Sequence, residues 1–192
     1  QQFGSLQDAS VHQYKADHSQ VTAEQTGEAN SLLVEQGPGV NLSATLTQHG
    51  VGNRYALEQS GEGNTVDLGA HGDNNRAQVT QAGSYNELYF DQNGNDNLLV
   101  ADQRGSDNRF DGSSNGSENL VSLDQGGAYN RAFAHQSGYL NTAEFVQSGG
   151  YNSAHVVQSG SLNQAVVNQA GYNHISNIGQ FGTANVATAI QR

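Results

Sequence analysis

The sequence predicts an all-β fold, a two-sheet β-solenoid built from 11-residue strand-arc half-coils, and three observations predict it. A six-residue motif, Gln-x-Gly-x-x-Asn, recurs along the chain, mostly at a spacing of 11 residues. The five residues between one motif and the next alternate between apolar and polar. The composition is far from that of an average domain, with 24 glycines, one proline and no Cys, Met or Trp in 192 residues. A fixed short period of this kind marks stacked units, each too small to bury a core alone.

The motif is intact at Gln25, Gly27 and Asn30; at Gln48, Gly50 and Asn53; at Gln59, Gly61 and Asn64; and at Gln81, Gly83 and Asn86. It continues at Gln92, Gly94 and Asn97; at Gln103, Gly105 and Asn108; at Gln125, Gly127 and Asn130; and at Gln136, Gly138 and Asn141. The last intact copies are Gln147, Gly149 and Asn152; Gln158, Gly160 and Asn163; and Gln180, Gly182 and Asn185. Degenerate copies fill the gaps. Gln36 and Asn41 flank Pro38, Ala70 precedes Gly72 and Asn75, Ser114 precedes Gly116 and Asn119, and His174 follows Gln169 and Gly171. Together they make 11 + 4 = 15 motifs from Gln25, with a terminal half repeat after them. From Gln48 to Gln191 the spacing never slips, and the one extra residue is expected between Asn41 and Gln48, absorbed by a bulge. The solenoid domain is read as 20–192, with 14–24 a worn copy carrying Ser19 in the Asn place. Residues 1–19 fall outside the clean repeat.

Each inter-motif segment reads as a strand. In Asn75–Gln81, Ala77 and Val79 share a face with Asn75 and Gln81, while Arg76, Gln78 and Thr80 point the other way. The same frame turns Val66/Leu68, Leu88/Phe90, Leu99/Ala101, Val121/Leu123, Ala143/Phe145, Ala154/Val156 and Ala165/Val167 inward. It turns Arg54, Asp67, Glu87, Asp102, Arg109, Asp124 and Glu144 outward. An 11-residue helical repeat competes poorly, because Gly and Asn in every unit would each cost roughly 0.5–1 kcal/mol. Two strands and two arcs make a 22-residue coil, and coils stack in the cross-β manner at about 4.8 Å. Inward Gln and Asn amides are expected to bond to arc backbone and to their copies one coil away. The motif glycine is expected where the arc needs positive φ or lacks room for a Cβ.

Composition also bounds function. Acidic residues outnumber basic ones 18 to 7, which argues against a nucleic-acid partner. No segment approaches the ~18–20 apolar residues of a membrane helix, so no membrane insertion is expected. Gln1 cannot be a start codon, and the reading is of a mature, exported chain from which a leader was removed. Gly112–Gly116 matches a nucleophile-elbow string, but Ser114 stands in the Gln place and no strand-turn-helix surrounds it. Asp91, Asn93, Asn95 and Asp102 loosely match a calcium loop whose obligatory glycine is Asp96 here. His49 and His71 should stack one coil apart, within reach of a shared metal. No catalytic, cofactor or metal site is assigned. A regular threonine face, as in ice-binding solenoids, is absent from outward positions that include Arg76, Tyr89, Asp102 and Phe133.

With register and alternation both repeated, Gln-x-Gly-x-x-Asn-x-Ala at strand-length spacing resembles the curlin repeat, and the resemblance runs over residues 25–191. It implies a major curli subunit: exported unfolded through an outer-membrane pore, nucleated by a homologous minor subunit, and polymerised at the surface of a Gram-negative cell as an extracellular amyloid of the biofilm matrix. Residues 1–19 would by position alone be the secretion-targeting segment, or else a flexible one. The copy number exceeds the five double repeats or so typical of the family. Apart from resemblance, the terminal strands Asn185–Gln191 and Asn30–Gln36 lack the proline or polar caps of a solenoid that stays monomeric. Stacking one end on the other is a contact that does not close, hence a homopolymer. The alternative is a monomeric secreted adhesin or ligand-binding solenoid. Half-coils 64–75 and 108–119, with Ala70, Ser114 and an inward Gly112, are expected to act as weak gatekeepers of assembly. Gln at 70 and 114 with Val at 112 is expected to strengthen these half-coils as strands and so shorten the lag before assembly.

Overall fold

The computed structural model describes residues 1–192 and contains 19 strands and no helix. Apart from Asp8–Gln13 and Ala16–Asp17, which share a sheet, consecutive strands fall in opposite sheets. The first sheet has nine strands, from Gln2–Ser5 through alternate strands to Ile175–Thr183. The second has ten, from Asp8–Gln13 to Val186–Gln191, including the short Ala16–Asp17 strand that pairs beside Ser31–Val40. Every pairing is parallel, and equivalent residues meet one coil apart: Glu87 with Arg109, Gln103 with Gln125, Gly138 with Gly160. The β-solenoid with 22 residues per coil expected from the motif spacing is the observed architecture.

The extra residue lies earlier than the sequence reading placed it. The register shifts between Gln36 and Gly39, so the Gly37–Pro38 pair forms the irregularity and Gly39, not Pro38, sits against Gly61. Proline has no N–H to give a ladder, and a bulge is where a sheet tolerates it. The shift moves the Asn place from Asn41 to Leu42. Leu42 is buried and donates its N–H to Ser19 Oγ at 3.1 Å, whereas Asn41 is exposed with left-handed backbone, φ 57°. Pairs that straddle this point are separated by 23 residues, as with Gln25 and Gln48.

Residues 1–19 lie on the same ladder. Gln2 pairs with Gln25 and Gly4 with Gly27, and Asp8–Gln13 pairs with Ser31–Gln36. Gln7 Nε2 donates to Gly27 O at 2.8 Å, the bond that Asn30 Nδ2 makes to Gly50 O at 2.9 Å one coil later. Gln2, Gly4 and Gln7 therefore form a worn motif.

The core is one file of inward side chains between the sheets, including all the pairs named above. Buried glutamines and asparagines are almost as numerous as buried apolar residues. Phe90, Phe110 and Phe145 form its aromatic stretch, with centroids 5.6 and 6.1 Å apart. Gly112 belongs to this packing: a Cβ there would come within 2.9 Å of the Phe90 ring. Its lack of side chain makes room for Phe90, which corrects the expectation that a valine at 112 would strengthen the half-coil.

From Gly27 onward each arc holds two left-handed positions, except the irregular arc at 36–42, where only Asn41 is left-handed. One is the motif glycine, at Gly27, Gly50, Gly61, Gly72, Gly83, Gly94, Gly105, Gly116, Gly127, Gly138, Gly149, Gly160, Gly171 and Gly182, with φ from 96° at Gly149 to 125° at Gly138. The two reasons expected for glycine there do not apply equally along the stack. Within it both hold: a Cβ at Gly94 would also run into the Gly116 carbonyl of the next coil, and Gly83, Gly105 and Gly127 meet the carbonyls of Gly105, Gly127 and Gly149 in the same way. In the final coil only the backbone reason remains. Gly182 has φ 106°, but the nearest atom to a Cβ there is Asn185 Nδ2 at 3.7 Å, an ordinary contact, because no further coil lies over it. The other left-handed position, not foreseen from the motif, is the residue before each Asn, with φ 56° at Tyr85, 54° at Glu118 and 59° at Leu162.

Candidate functional site

The alternation that buries Gln and Asn also places each directly over its copy in the next coil. In the second sheet the glutamines form one unbroken chain of amide bonds. Nε2 of Gln13 donates to Oε1 of Gln36, and the relay passes through Gln59, Gln81, Gln103, Gln125, Gln147 and Gln169 to Gln191 at 2.6–2.9 Å per step. The second N–H of each amide reaches strand-end backbone, as from Gln103 to Glu87 O at 3.1 Å.

The first sheet is different. Gln2 donates to Gln25 and Gln25 to Gln48, each at 2.8 Å, and the relay stops at Ala70. Gln92 keeps a bond to Arg76 O at 2.9 Å, but its Oε1 is buried with no partner. Ser114 Oγ restarts the relay by donating to Gln136 Oε1 at 3.0 Å, and Gln158 and Gln180 follow at 3.0 and 2.8 Å.

Asparagines run along both corners. One file is Asn30, Asn53, Asn75, Asn97, Asn119, Asn141, Asn163 and Asn185; the other is Asn64, Asn86, Asn108, Asn130 and Asn152, ending at His174. Asn75 Oδ1 accepts the Asn97 backbone N–H at 3.1 Å, and Asn97 Nδ2 donates to Gly116 O at 3.0 Å. In the other file Asn64, Asn86, Asn108 and Asn130 donate to the carbonyls of Gly83, Gly105, Gly127 and Gly149 at 3.0–3.2 Å. Gly182 O accepts from Asn163 Nδ2 at 3.0 Å. The motif glycine thus supplies both the bend and the carbonyl needed by the amide of the preceding coil.

The rows end open. Gln180 and Gln191 give one N–H each to Gln164 O and Ile175 O and have no glutamine beyond them. At the other end Gln2 and Gln13 donate inward, leaving their Oε1 atoms free to accept. The final coil also exposes Phe181, Val186 and Ile190. The last acidic residue is Glu144, so that end carries no carboxylate side chain, unlike the rest of the chain.

Outward charges pair locally. Arg104 bridges Asp102 and Asp124 at 3.2 and 2.8 Å, and Arg109 bridges Glu87 and Asp111 at 2.8 and 2.6 Å. Partial burial raises the Asp67 carboxyl above the usual range, with Asp91 adding to it, and burial raises Asp102 against the pull of Arg104. Burial lifts the Tyr55 phenol well above its ordinary value; its hydroxyl has no partner.

The other motifs weighed in the sequence are dispersed or occupied. Ser114 is buried within the glutamine row. Asp91 lies in the first sheet and Asp102 in the second, while Asn93 bonds Asn115 and Asn95 accepts from Asp73 N–H. His49 and His71 stack with centroids 5.1 Å apart and planes 28° from parallel. Ring lone pairs lie in the ring plane, so near-parallel imidazoles do not aim at one ion.

A family model described as the curlin associated repeat matches residues 72–105, 141–171 and 152–182. No curated protein matches the chain.

Proposed function

We propose that the chain is a curlin-type structural subunit that assembles end to end into an extracellular, curli-type amyloid fibre of a biofilm matrix and surface adhesion layer, a reading supported by the curlin associated repeat matched within residues 72–105 and 141–182. The observation that carries the reading is the match between its two ends. Gln180 and Gln191 are 11 residues apart, and so are Gln2 and Gln13. One docking of a final coil on a first coil therefore continues both glutamine rows, free N–H onto free Oε1, while the Ile175–Thr183 and Val186–Gln191 strands gain parallel partners. A second reading, the monomeric adhesin, would need a cap over each terminal coil.

Export through an outer-membrane pore, nucleation by a homologous subunit and a targeting role for residues 1–19 belong to this proposal by family likeness. Low apolar content, high negative charge and the lack of cysteine support a chain that leaves the cell unfolded and gains β-structure as it assembles. Time-resolved light scattering with electron microscopy on purified chain tests the reading. Fibres appearing after a lag that seeds shorten are expected; a monomer that persists for days in dilute buffer would overturn it.

A further inference from the structure

At the corner where the chain passes from the second sheet to the first, the residue before each Asn of the file, and before the His174 that ends it, is in turn Gly63, Tyr85, Asp107, Tyr129, Tyr151 and Asn173. All have left-handed backbone, φ 59° at both Tyr129 and Tyr151. A bulky L residue is disfavoured there by roughly 1–2 kcal/mol, so backbone preference does not account for tyrosine. Equal backbone angles one coil apart send the two side chains in the same direction. The rings of Tyr129 and Tyr151 stack with centroids 4.9 Å apart and planes 11° from parallel. Their spacing is fixed from below: Tyr151 N–H donates to Ala128 O at 3.1 Å, and Asn152 Nδ2 to Asn130 Oδ1 at 3.0 Å. Both rings are reachable from solvent, 47% and 58% exposed, beside a trough that Asp107 and Arg131 also line. Tyr85 is separated from Tyr129 by Asp107 and stands two coils away, about 10 Å at ~4.8 Å per coil, outside stacking range.

We propose that Tyr129 and Tyr151 form an oxidative cross-linking site, at which a dityrosine bond staples two successive coils. The oxidant is of the peroxide-driven haem peroxidase class. It takes one electron from each phenol as each hydroxyl proton passes to water. The two ring-delocalised radicals join through the carbons ortho to the oxygens, forming one C–C bond. The hydrogen on each joined carbon then leaves as a proton and each oxygen regains one, which restores both aromatic rings. In sum, two tyrosines and one hydrogen peroxide give one dityrosine and two waters. The rigid stack supplies proximity in advance, which converts an encounter between radicals into a unimolecular step. The site is built from the coil spacing within one chain and needs no contact between chains.

The test treats assembled, folded chain with hydrogen peroxide and a haem peroxidase, dissolves it in formic acid, isolates the species of single-chain mass and digests that with trypsin. Cleavage at Arg109 and Arg131 places Tyr129 in peptide 110–131 and Tyr151 in peptide 132–192, which also holds Tyr139 and Tyr172. The expected result is dityrosine fluorescence in a joined 110–131/132–192 species of monomeric origin. It should be lost in both Tyr129→Phe and Tyr151→Phe, which keep the stacked ring, and retained in Tyr139→Phe and Tyr172→Phe. Chain oxidised in urea should spread its coupling over other tyrosines. A joined species that survives Tyr151→Phe, its absence from the folded chain, or equal coupling of this pair in urea would each overturn the proposal.

Discussion

The two sheets share a backbone geometry and a repeat, yet one carries an unbroken glutamine row from Gln13 to Gln191 and the other is interrupted at Ala70 and Ser114. The apolar core does not explain where stability should concentrate, because small inward residues such as Ala132, Ala134 and Ala143 bury little area. The difference teaches that a buried amide is valuable only while its neighbours are present. A satisfied row contributes about 1 kcal/mol per bond, and an orphaned member costs about 1–3 kcal/mol. Gln92, with its unpartnered Oε1, is an amide on the wrong side of that balance.

The largest effect should come from breaking the intact row. Gln103→Ala orphans the Gln125 oxygen and one Gln81 N–H, and should destabilise the fold by about 2–4 kcal/mol. Gln92→Ala, the same change in the broken row, removes an oxygen that is already unpartnered and should cost under about 1 kcal/mol. Denaturant midpoints of the two folded variants decide this directly, and equal losses would break the comparison.

Next in size is the packing beside the gap. Gly112→Val would press into Phe90 and the Ala134 carbonyl, and should destabilise by about 1–3 kcal/mol. Ala70→Gln should act the other way, joining Gln48 to Gln92 and adding about 1–2 kcal/mol. Hydrogen exchange should then slow in Thr65–His71 and Glu87–Asn95; unchanged exchange would mean that the gap is not a weak point.

How much of this was legible in the sequence depends on whether residue type or neighbour context sets the structure. Val66 and Leu68 declare their inward face by alternation alone, and the motif spacing fixes the 22-residue coil. The frame at 36–42 could not be read in the same way. With Gly37, Pro38 and Gly39 in a row, the choice of glycine for the bend depends on which one stacks on Gly61, a contact between distant residues. The second left-handed position escaped because Tyr85, Glu118 and Leu162 share no residue type; only their constant place before Asn signals it. Gln2, Gly4 and Gln7 carried a legible signal in the 11 residues from Gln2 to Gln13, obscured by Gln7 standing where Asn is usual.

The smallest predicted effect is electrostatic. Partial burial and Asp91 raise the Asp67 carboxyl, so the folded chain binds this proton more readily than the unfolded one. Its charge therefore destabilises the fold above the raised value, and the penalty is relieved as pH falls through the raised value toward the unfolded one. Asp67→Asn should accordingly raise the denaturant midpoint at neutral pH and lose that advantage in acid. An advantage independent of pH would point to a cause other than ionisation.

Assembly through the ends of the glutamine rows is the central claim, and seeded growth tests it most directly. Seeds and monomer of the Gln180→Ala/Gln191→Ala double variant lose both terminal donors, while Thr183→Ala/Thr188→Ala alters two exposed side chains in the same final strands. Two lost amide bonds at about 1 kcal/mol each correspond to a change in elongation rate on the order of tenfold or more. The account predicts that slowing for the glutamine pair and near-unchanged growth for the threonine pair; equal elongation rates for the two variants would contradict it.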